Sequence, residues 1–253
     1  METMASARLP PMRVAVVSDI HSNLLALEAV LDDVGKVGVD EIWCLGDIVG
    51  YGPEPSACID IIRHRCAISL AGNHDLGAIG SISIDDFNPH ALAANIWTSS
   101  VISDTDKMWL GSLPTLTLVN GVTMAHGSPR EPVWEYVFSS RVALENFDNF
   151  GTNWCLVGHS HTPLVIVEQK HSVLPKTLPI SLEPITLHGR AIINPGSVGQ
   201  PRDGDPRASY AILNLERQTL AHRRVAYDVK SVQEQMLVAS LPPYLIDRLE
   251  LGR

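Results

Sequence analysis

Residues Arg13–Val34 read RVAVVSDIHSNLLALEAVLDDV, a strand, a polar turn and a helix in that order. Arg13–Ser18 is a short β-branched run of the kind that forms a strand buried on both faces. Ser22 or Asn23 can cap the helix, because a side-chain oxygen there accepts from a free N–H of the first helical turn. Leu24, Leu27, Val30, Leu31 and Val34 then recur at helical spacing, and Gly35 and Gly38 punctuate the end. Glu41–Leu45 reads as a second strand, Ser56–His64 as a second helix and Ala67–Leu70 as a third strand. This β-α-β-α-β series predicts a mainly parallel sheet with right-handed crossovers.

Further out, Pro89–Val101 is a predicted helix with Leu92, Ile96 and Trp97 on one face. Asp104–Gly111 is another, behind a Ser103 cap, and Trp97 and Trp109 read as core. After Pro114 the period becomes two: Thr115–Val119, an Asn120-Gly121 turn, then Val122–Ala125, a strong hairpin signal. Arg141–Phe150 reads as a helix and Trp154–Val157 as a strand. Leu164–Glu168, Ala191–Asn194, Ser209–Asn214 and Thr219–Val225 are further strands, and Val229–Ala239 and Pro243–Leu249 are closing helices. Gln169–Gly189 holds three prolines and no clean period, so it reads as an irregular surface excursion. No linker marks a boundary. The expectation is a flexible tail over residues 1–11 and one domain over 12–253, with two packed sheets and helices outside.

The chain has 253 residues, 45% hydrophobic and 19% charged, which supports a sizeable core and excludes global disorder. Nineteen Lys+Arg against 28 Asp+Glu give a net charge of −9. That balance argues against stable nucleic-acid binding or an anionic-membrane surface, both of which need clustered basic residues. The longest apolar stretches are strand-sized, such as Leu164–Val167, short of the ~18 residues of a membrane span. Met1–Pro11 has no apolar signal core. Cys44, Cys58, Cys66 and Cys155 form no C-x-x-C pair, and Cys44 and Cys155 sit in apolar runs. They read as reduced thiols of a cytoplasmic protein, with little weight on cysteine catalysis or cysteine metal sites.

Five segments carry the chemistry: Ser18-Asp19-Ile20-His21, Gly46-Asp47, Gly72-Asn73-His74-Asp75, His126-Gly127 and Gly158-His159-Ser160-His161. Ten histidines give roughly 0.4 chance H-x-H pairs, so one pair proves nothing. All five segments, however, end predicted strands, where open α/β sheets place ligands. In extended backbone Asp19 and His21 point the same way, as do His159 and His161, so each pair can reach one region. Carboxylate and imidazole suit Zn, Mn or Fe without choosing among them. Asp47 has two oxygens with which to bridge two metals, and the Asn73 amide oxygen adds a ligand without charge. His74, next to Asn73 in an extended loop, should project differently and stay free for a substrate.

The constellation D-x-H, G-D, G-N-H-[DE], H, G-H-x-H resembles the calcineurin-like metallophosphoesterase superfamily. The stretches DIHSN (Asp19–Asn23), GDIVGYGP (Gly46–Pro53) and INPGSVGQPRDGDPRASYAIL (Ile193–Leu213) are similar to its small prokaryotic phosphodiesterase-type members. The resemblance implies an α/β fold, a four-layer α-β-β-α sandwich of two mixed β-sheets flanked by helices. It implies two divalent ions (Mn, Zn or Fe), one on Asp19, His21 and His161, the other on Asn73, His126 and His159, with Asp47 bridging. It makes His74 the catalytic histidine and Asp75 the residue that orients it. Two such ions, two carboxylates and a bridging hydroxide leave about +1, so an acidic protein can still bind phosphate locally. In-line attack by that hydroxide on a phosphate ester is the implied reaction.

The expected substrate is a phosphodiester, a small phosphorylated metabolite or a nucleotide, with Arg202 and Tyr51 as candidate contacts. Tyr51 is placed either to stack on a base or leaving group or to pack, and Arg202 to meet phosphate or pair with Asp203 and Asp205. Ser128-Pro129-Arg130 is a further candidate rim, and similarity brings Asn194-Pro195-Gly196-Ser197 to the site's border. A diadenosine-tetraphosphatase-like hydrolase and a protein phosphatase are the alternatives. The second is weakened because Gly46–Gly52 lacks the arginine of G-D-x-x-D-R-G. A non-catalytic scaffold on the same fold is disfavoured by the intact ligand set. His64, His90, His171, His188 and His222 lie outside the motifs and read as surface or helix-face residues.

Overall fold

In the computed structural model, residues 12–169 and 174–253 are described. The predicted tail, Met1–Pro11, and His171 lie outside them. One sheet runs in the order β3 (Ile68–Ser69), β2 (Glu41–Cys44), β1 (Arg13–Val17), β11 (Ala208–Asn214), β12 (Thr219–Val225), β9 (Ile185–Thr186). The second runs β4 (Leu116–Val119), β5 (Val122–Ala125), β6 (Trp154–Leu156), β10 (Ala191–Asn194), β7 (Leu164–Val167), β8 (Lys176–Leu178). Both are mixed. Strands β1, β2 and β3 are mutually parallel, as are β5, β6 and β10, while β11 joins β1 antiparallel and β7 joins β10 antiparallel.

Alternation along the strands builds the layers. Val14 and Val16 of β1 face Leu156 of β6 and Ile193 of β10 in a core between the sheets. Ala15 and Val17 face outward onto α1 (Leu24–Val37) and α2 (Pro55–Arg65). In the second sheet Cys155 and Ile192 face outward onto Ala143 and Phe147 of α6 (Ser140–Phe147). The result is an α/β sandwich of two mixed sheets flanked by helices, as the resemblance implied. Helices α7 (Val229–Val238) and α8 (Pro243–Leu251) pack with α4 (Pro89–Val101) in a satellite cluster that includes Tyr51 and Phe87.

Local signals set the boundaries where caps exist. Asn23 accepts from Ala26 N–H to start α1, and Ser103 accepts from Asp106 N–H to start α5 (Asp104–Gly111). Asn120 and Gly121 both take positive φ, 48° and 76°, as a tight hairpin turn requires.

Four expectations are corrected. The supposed irregular stretch contributes β8 and β9, short edge strands whose length is limited by Pro175, Pro179 and Pro184. Asn73 and His74 do not lie in an extended loop but begin a helix, α3 (Asn73–Ala78). The buried face of α4 is Ala91, Ala94, Asn95 and Thr98, and Ile96 is 55% exposed. Small residues turn inward there because α4 rides close on α3, where Asn95 Nδ2 donates to the His74 carbonyl at 2.9 Å. His222 is not a surface residue: it is buried in β12 opposite the small Ala211, and its Nε2 donates to the Asn194 carbonyl. All four cysteines are free, and burial pushes the thiols of Cys58 and Cys155 up. Among the described residues, no helix is long and apolar enough to cross a membrane.

Candidate dinuclear metal centre

Each of the five segments leaves the C-terminal end of a parallel strand, and their side chains meet between the two sheets' ends. The backbone there is not the pleated chain that alternation assumed. Asp19, His21, Asp47, His159 and His161 all have positive φ, from 49° to 64°. Left-handed backbone costs a non-glycine residue about 1 kcal/mol or more, and such strain collects at functional sites. Hydrogen bonds between the loops hold it. Asp19 N–H donates to the Gly46 carbonyl (3.0 Å), His21 N–H to the Asp47 carbonyl (3.0 Å), and His159 N–H to Asp19 Oδ1 (3.1 Å). Gly72 is required by proximity, since a Cβ there would lie 2.1 Å from Asp47 Oδ1.

Three imidazoles are fixed from behind. Nδ1 of His21, His126 and His161 lies 3.0, 3.0 and 2.7 Å from the carbonyls of Val49, Leu45 and Gln200. With Nδ1 as the donor, each Nε2 presents a lone pair to the centre. Nε2 of His21 and His161 are only 3.0 Å apart. Asp47 Oδ2 is 3.5 Å from His21 Nε2 and 3.4 Å from His126 Nε2, and Asn73 Oδ1 is 3.3 Å from His126 Nε2. Asp19 Oδ1 is 3.5 Å from His161 Nε2.

Asp19 Oδ2, Asp47 Oδ2 and His159 Nε2 are buried without a hydrogen-bond partner, a cost of about 1–3 kcal/mol each. Facing lone pairs and orphaned carboxylate oxygens are repulsive by themselves and become ligands when cations lie between them. Two overlapping groups have that form: Asp19, His21, Asp47 and His161, and Asp47, His126 and His159. Asp47 belongs to both. The donor set therefore fits divalent metal ions.

Charge and burial compete at these groups. Burial pushes Asp19 up to about 7, and burial with the nearby Asp47 charge does the same to Asp75. At Asp47 burial is outweighed by His126, His74 and His21, which hold its carboxyl well below the usual range. At His126 burial is outweighed by the nearby Asp47 carboxylate, which lifts it to about 9. Burial lowers His74 to about 4 and His159 to about 3.

His74 sits in the first turn of α3, its N–H donating to Asp47 Oδ1 (2.9 Å). Its Nδ1 has no partner, and its ring lies 4.9 Å from His21 and 4.3 Å from Tyr51. The Asp75 carboxylate does not bond that ring. It accepts from Gly72 N–H and Val49 N–H, and so braces the Gly46–Gly50 and Gly72–Asn73 backbones that carry Asp47 and His74. Tyr51 is buried against His21 and His74 and also lines the cavity over the centre.

Arg202 reaches the cavity. Asp203 is taken by Arg224 and Asp205 by Arg207, while the Arg202 guanidinium lies over Tyr51 and bonds Gln200 Oε1. The Ser197 hydroxyl donates to the Asp19 carbonyl (2.7 Å), so the Asn194–Ser197 turn does border the centre. Arg130 is drawn away by Glu135 and Glu145.

The cavity over the centre holds about 70 Å³, and Asp47, His74, His159 and Arg202 line it. Phe87, Trp134 and Tyr136 line it too, and the motifs did not point to them. The alternating aromatics of Trp134, Tyr136 and Phe138 were the available signal.

Comparison with known proteins agrees with this geometry. A family model, the calcineurin-like phosphoesterase superfamily domain, matches residues 12–218. The chain is 42% identical over 245 residues to an uncharacterised protein of Methanocaldococcus jannaschii, covering 95% of this chain and 98% of that one. The crystal structure of a metallophosphoesterase from Sphaerobacter thermophilus is similar at 47% identity and TM-score 0.87, covering 96% of this chain and 100% of that one. A symmetrical bis(5'-nucleosyl)-tetraphosphatase of Thioalkalivibrio sulfidiphilus is 34% identical over 68 residues, 26% of this chain and 25% of that one. This chain belongs to the calcineurin-like phosphoesterase superfamily, and it is a metal-dependent phosphoric ester hydrolase.

Proposed function

We propose that this enzyme hydrolyses phosphodiesters, nucleotides or small phosphorylated metabolites at a pair of divalent ions, with Mn, Zn and Fe all compatible with the donors. Asp19, His21 and His161 would hold one ion and Asn73, His126 and His159 the other, with Asp47 shared. The observation that carries this reading is the convergence of orphaned, buried donor atoms beneath a cavity of about 70 Å³. Bound there, two such ions supply positive charge to phosphoryl oxygens and acidify water to a pKa of about 7.

The chain's own groups do the rest. The cavity is small enough to orient one phosphoryl group against the centre. Arg202 pairs with a non-bridging oxygen. His74, its Nδ1 unpartnered and its ring held by Tyr51 and Phe87, donates to the departing oxygen. Burial lowers it to about 4, so the imidazole is neutral at pH 7 and stabilises the departing oxygen with a hydrogen bond from its ring N–H, while the proton that oxygen finally takes comes from water. Among the described residues Arg202 is the sole arginine or lysine lining the cavity, which suits the single negative charge of a diester better than a doubly charged monoester. Four free cysteines favour a reducing, cytoplasmic setting.

Hydrolysis of bis-p-nitrophenyl phosphate beside p-nitrophenyl phosphate, after chelation and manganese titration, tests the reading. Metal-restored turnover favouring the diester is expected. Preference for the monoester moves the substrate to phosphatase chemistry. No turnover of either ester with two ions bound revives the scaffold alternative.

A further inference from the structure

Beside the centre lies an aromatic feature that the phosphoryl chemistry leaves unused. Tyr136 stacks on the His159 ring at 3.9 Å and 16°, and Phe138 stacks on Tyr136 at 5.1 Å and 13°. The three near-parallel rings form a staircase that starts on a centre histidine and climbs to the surface. Its outer steps are bare: Tyr136 is 42% exposed and Phe138 59%. Exposed apolar residues are common singly, but here two are stacked in register and continuous with the reacting site.

The cavity constrains what covers them. It is small, about 70 Å³, and open to solvent, so a phosphoryl group suits its floor. The remainder of any substrate must leave the cavity across its rim. On one side that rim is Tyr136. Asp86 and Asn88, exposed residues that offer hydrogen-bond acceptors and a donor, line the same cavity. A planar, apolar-faced group with polar edges matches this combination, and a nucleobase joined to phosphate through a ribose has that form.

We propose that Tyr136 and Phe138 form the specificity subsite of this enzyme and take the nucleobase of a nucleotide-bearing phosphoester, a proposal that rests on the phosphoesterase function above. The base stacks on the staircase while its phosphate occupies the cavity beside Arg202. Base-on-aromatic stacking tolerates every base, so the subsite selects nucleotides as a class over alkyl esters.

The test compares two diesters in manganese-loaded protein, adenylyladenosine and the alkyl ester glycerophosphoethanolamine. The unmodified enzyme should favour adenylyladenosine. Phe138→Ala and Phe138→Leu should each reduce that preference about tenfold, through KM, and Phe138→Trp should restore it. The leucine variant keeps apolar bulk without a flat face, so it separates stacking from general hydrophobic contact.

A second readout needs no turnover: ethenoadenosine monophosphate fluorescence should be quenched by the unmodified protein and much less by Phe138→Ala. Preference for the alkyl diester, or a ratio that no Phe138 variant moves, overturns the subsite and leaves the phosphoesterase function standing. Failure to cleave either diester, with ethenoadenosine quenching intact, sinks the proposed reaction and not the stacking site. Loss of quenching in no variant overturns the subsite and leaves the staircase as a surface for another partner.

Discussion

His74 and Gly72 separate two ways of losing activity. His74 approaches the centre without belonging to either cluster of donor atoms, so His74→Ala should keep both ions, counted by elemental analysis, while turnover falls ~10²–10⁴-fold. Full activity in that metal-loaded variant would remove His74 from the reaction. Gly72→Ala should do the opposite. A methyl group 2.1 Å from Asp47 Oδ1 must push away the carboxylate that both clusters share, so metal content should drop before any effect on chemistry is measured. At this scale the residue types of the centre were legible in the sequence, but their conformation was not. A D-x-H pattern is the same string whether the backbone is pleated or, as here, left-handed at both ends. Spacing therefore grouped residues that the structure also brings together, but through the wrong geometry.

Among the elements, one tie between layers lends itself to a pH experiment. Asp33 on α1 accepts from Arg223 Nε on β12 and from the Tyr210 hydroxyl on β11, both at 2.6 Å. The hydrogen bond from Arg223, then the one from Tyr210, hold its carboxyl below the ordinary 3.8. A depressed folded-state pKa contributes stability that is complete above the unfolded value and lost as pH falls through the folded one. Asp33→Asn should therefore cost about 1 kcal/mol at neutral pH, roughly 2–4 °C in Tm. The gap from the unmodified protein should close below pH 4, and thermal melts across pH 3–7 check it. Elements with a side-chain cap were readable nearly to the residue, as with α1, α5 and α4, where Asn88 accepts from Ala91 N–H. The face of α4 was not, because its orientation is set by contact with α3 and not by its own hydrophobicity. Nor was α3, whose six residues include the motif itself.

For the whole molecule, the shared core and the shared centre make one expectation. Val14 and Val16 of the first sheet and Leu156 and Ile193 of the second bury one another, and the donor clusters draw Asp19, His21 and Asp47 from one sheet's loops and His126, His159 and His161 from the other's. The sheets should unfold in one transition, coincident by tryptophan fluorescence and circular dichroism, with a midpoint that rises on manganese addition and falls with chelator. Two separated transitions would show that each sheet stands alone. The two-sheet plan was legible from strand order, but the pairing of β1 with β11 was not, since no local signal reaches across the intervening chain. That pairing has a consequence for synthesis. On the ribosome, β1 emerges long before its antiparallel neighbour β11, which follows every strand of the second sheet. The first sheet stays half built until then, its early strands in need of protection from misassociation. The donors of the centre are therefore all synthesised before β11 completes the sheet that carries three of them, and the centre gains its full support only once that late strand has paired.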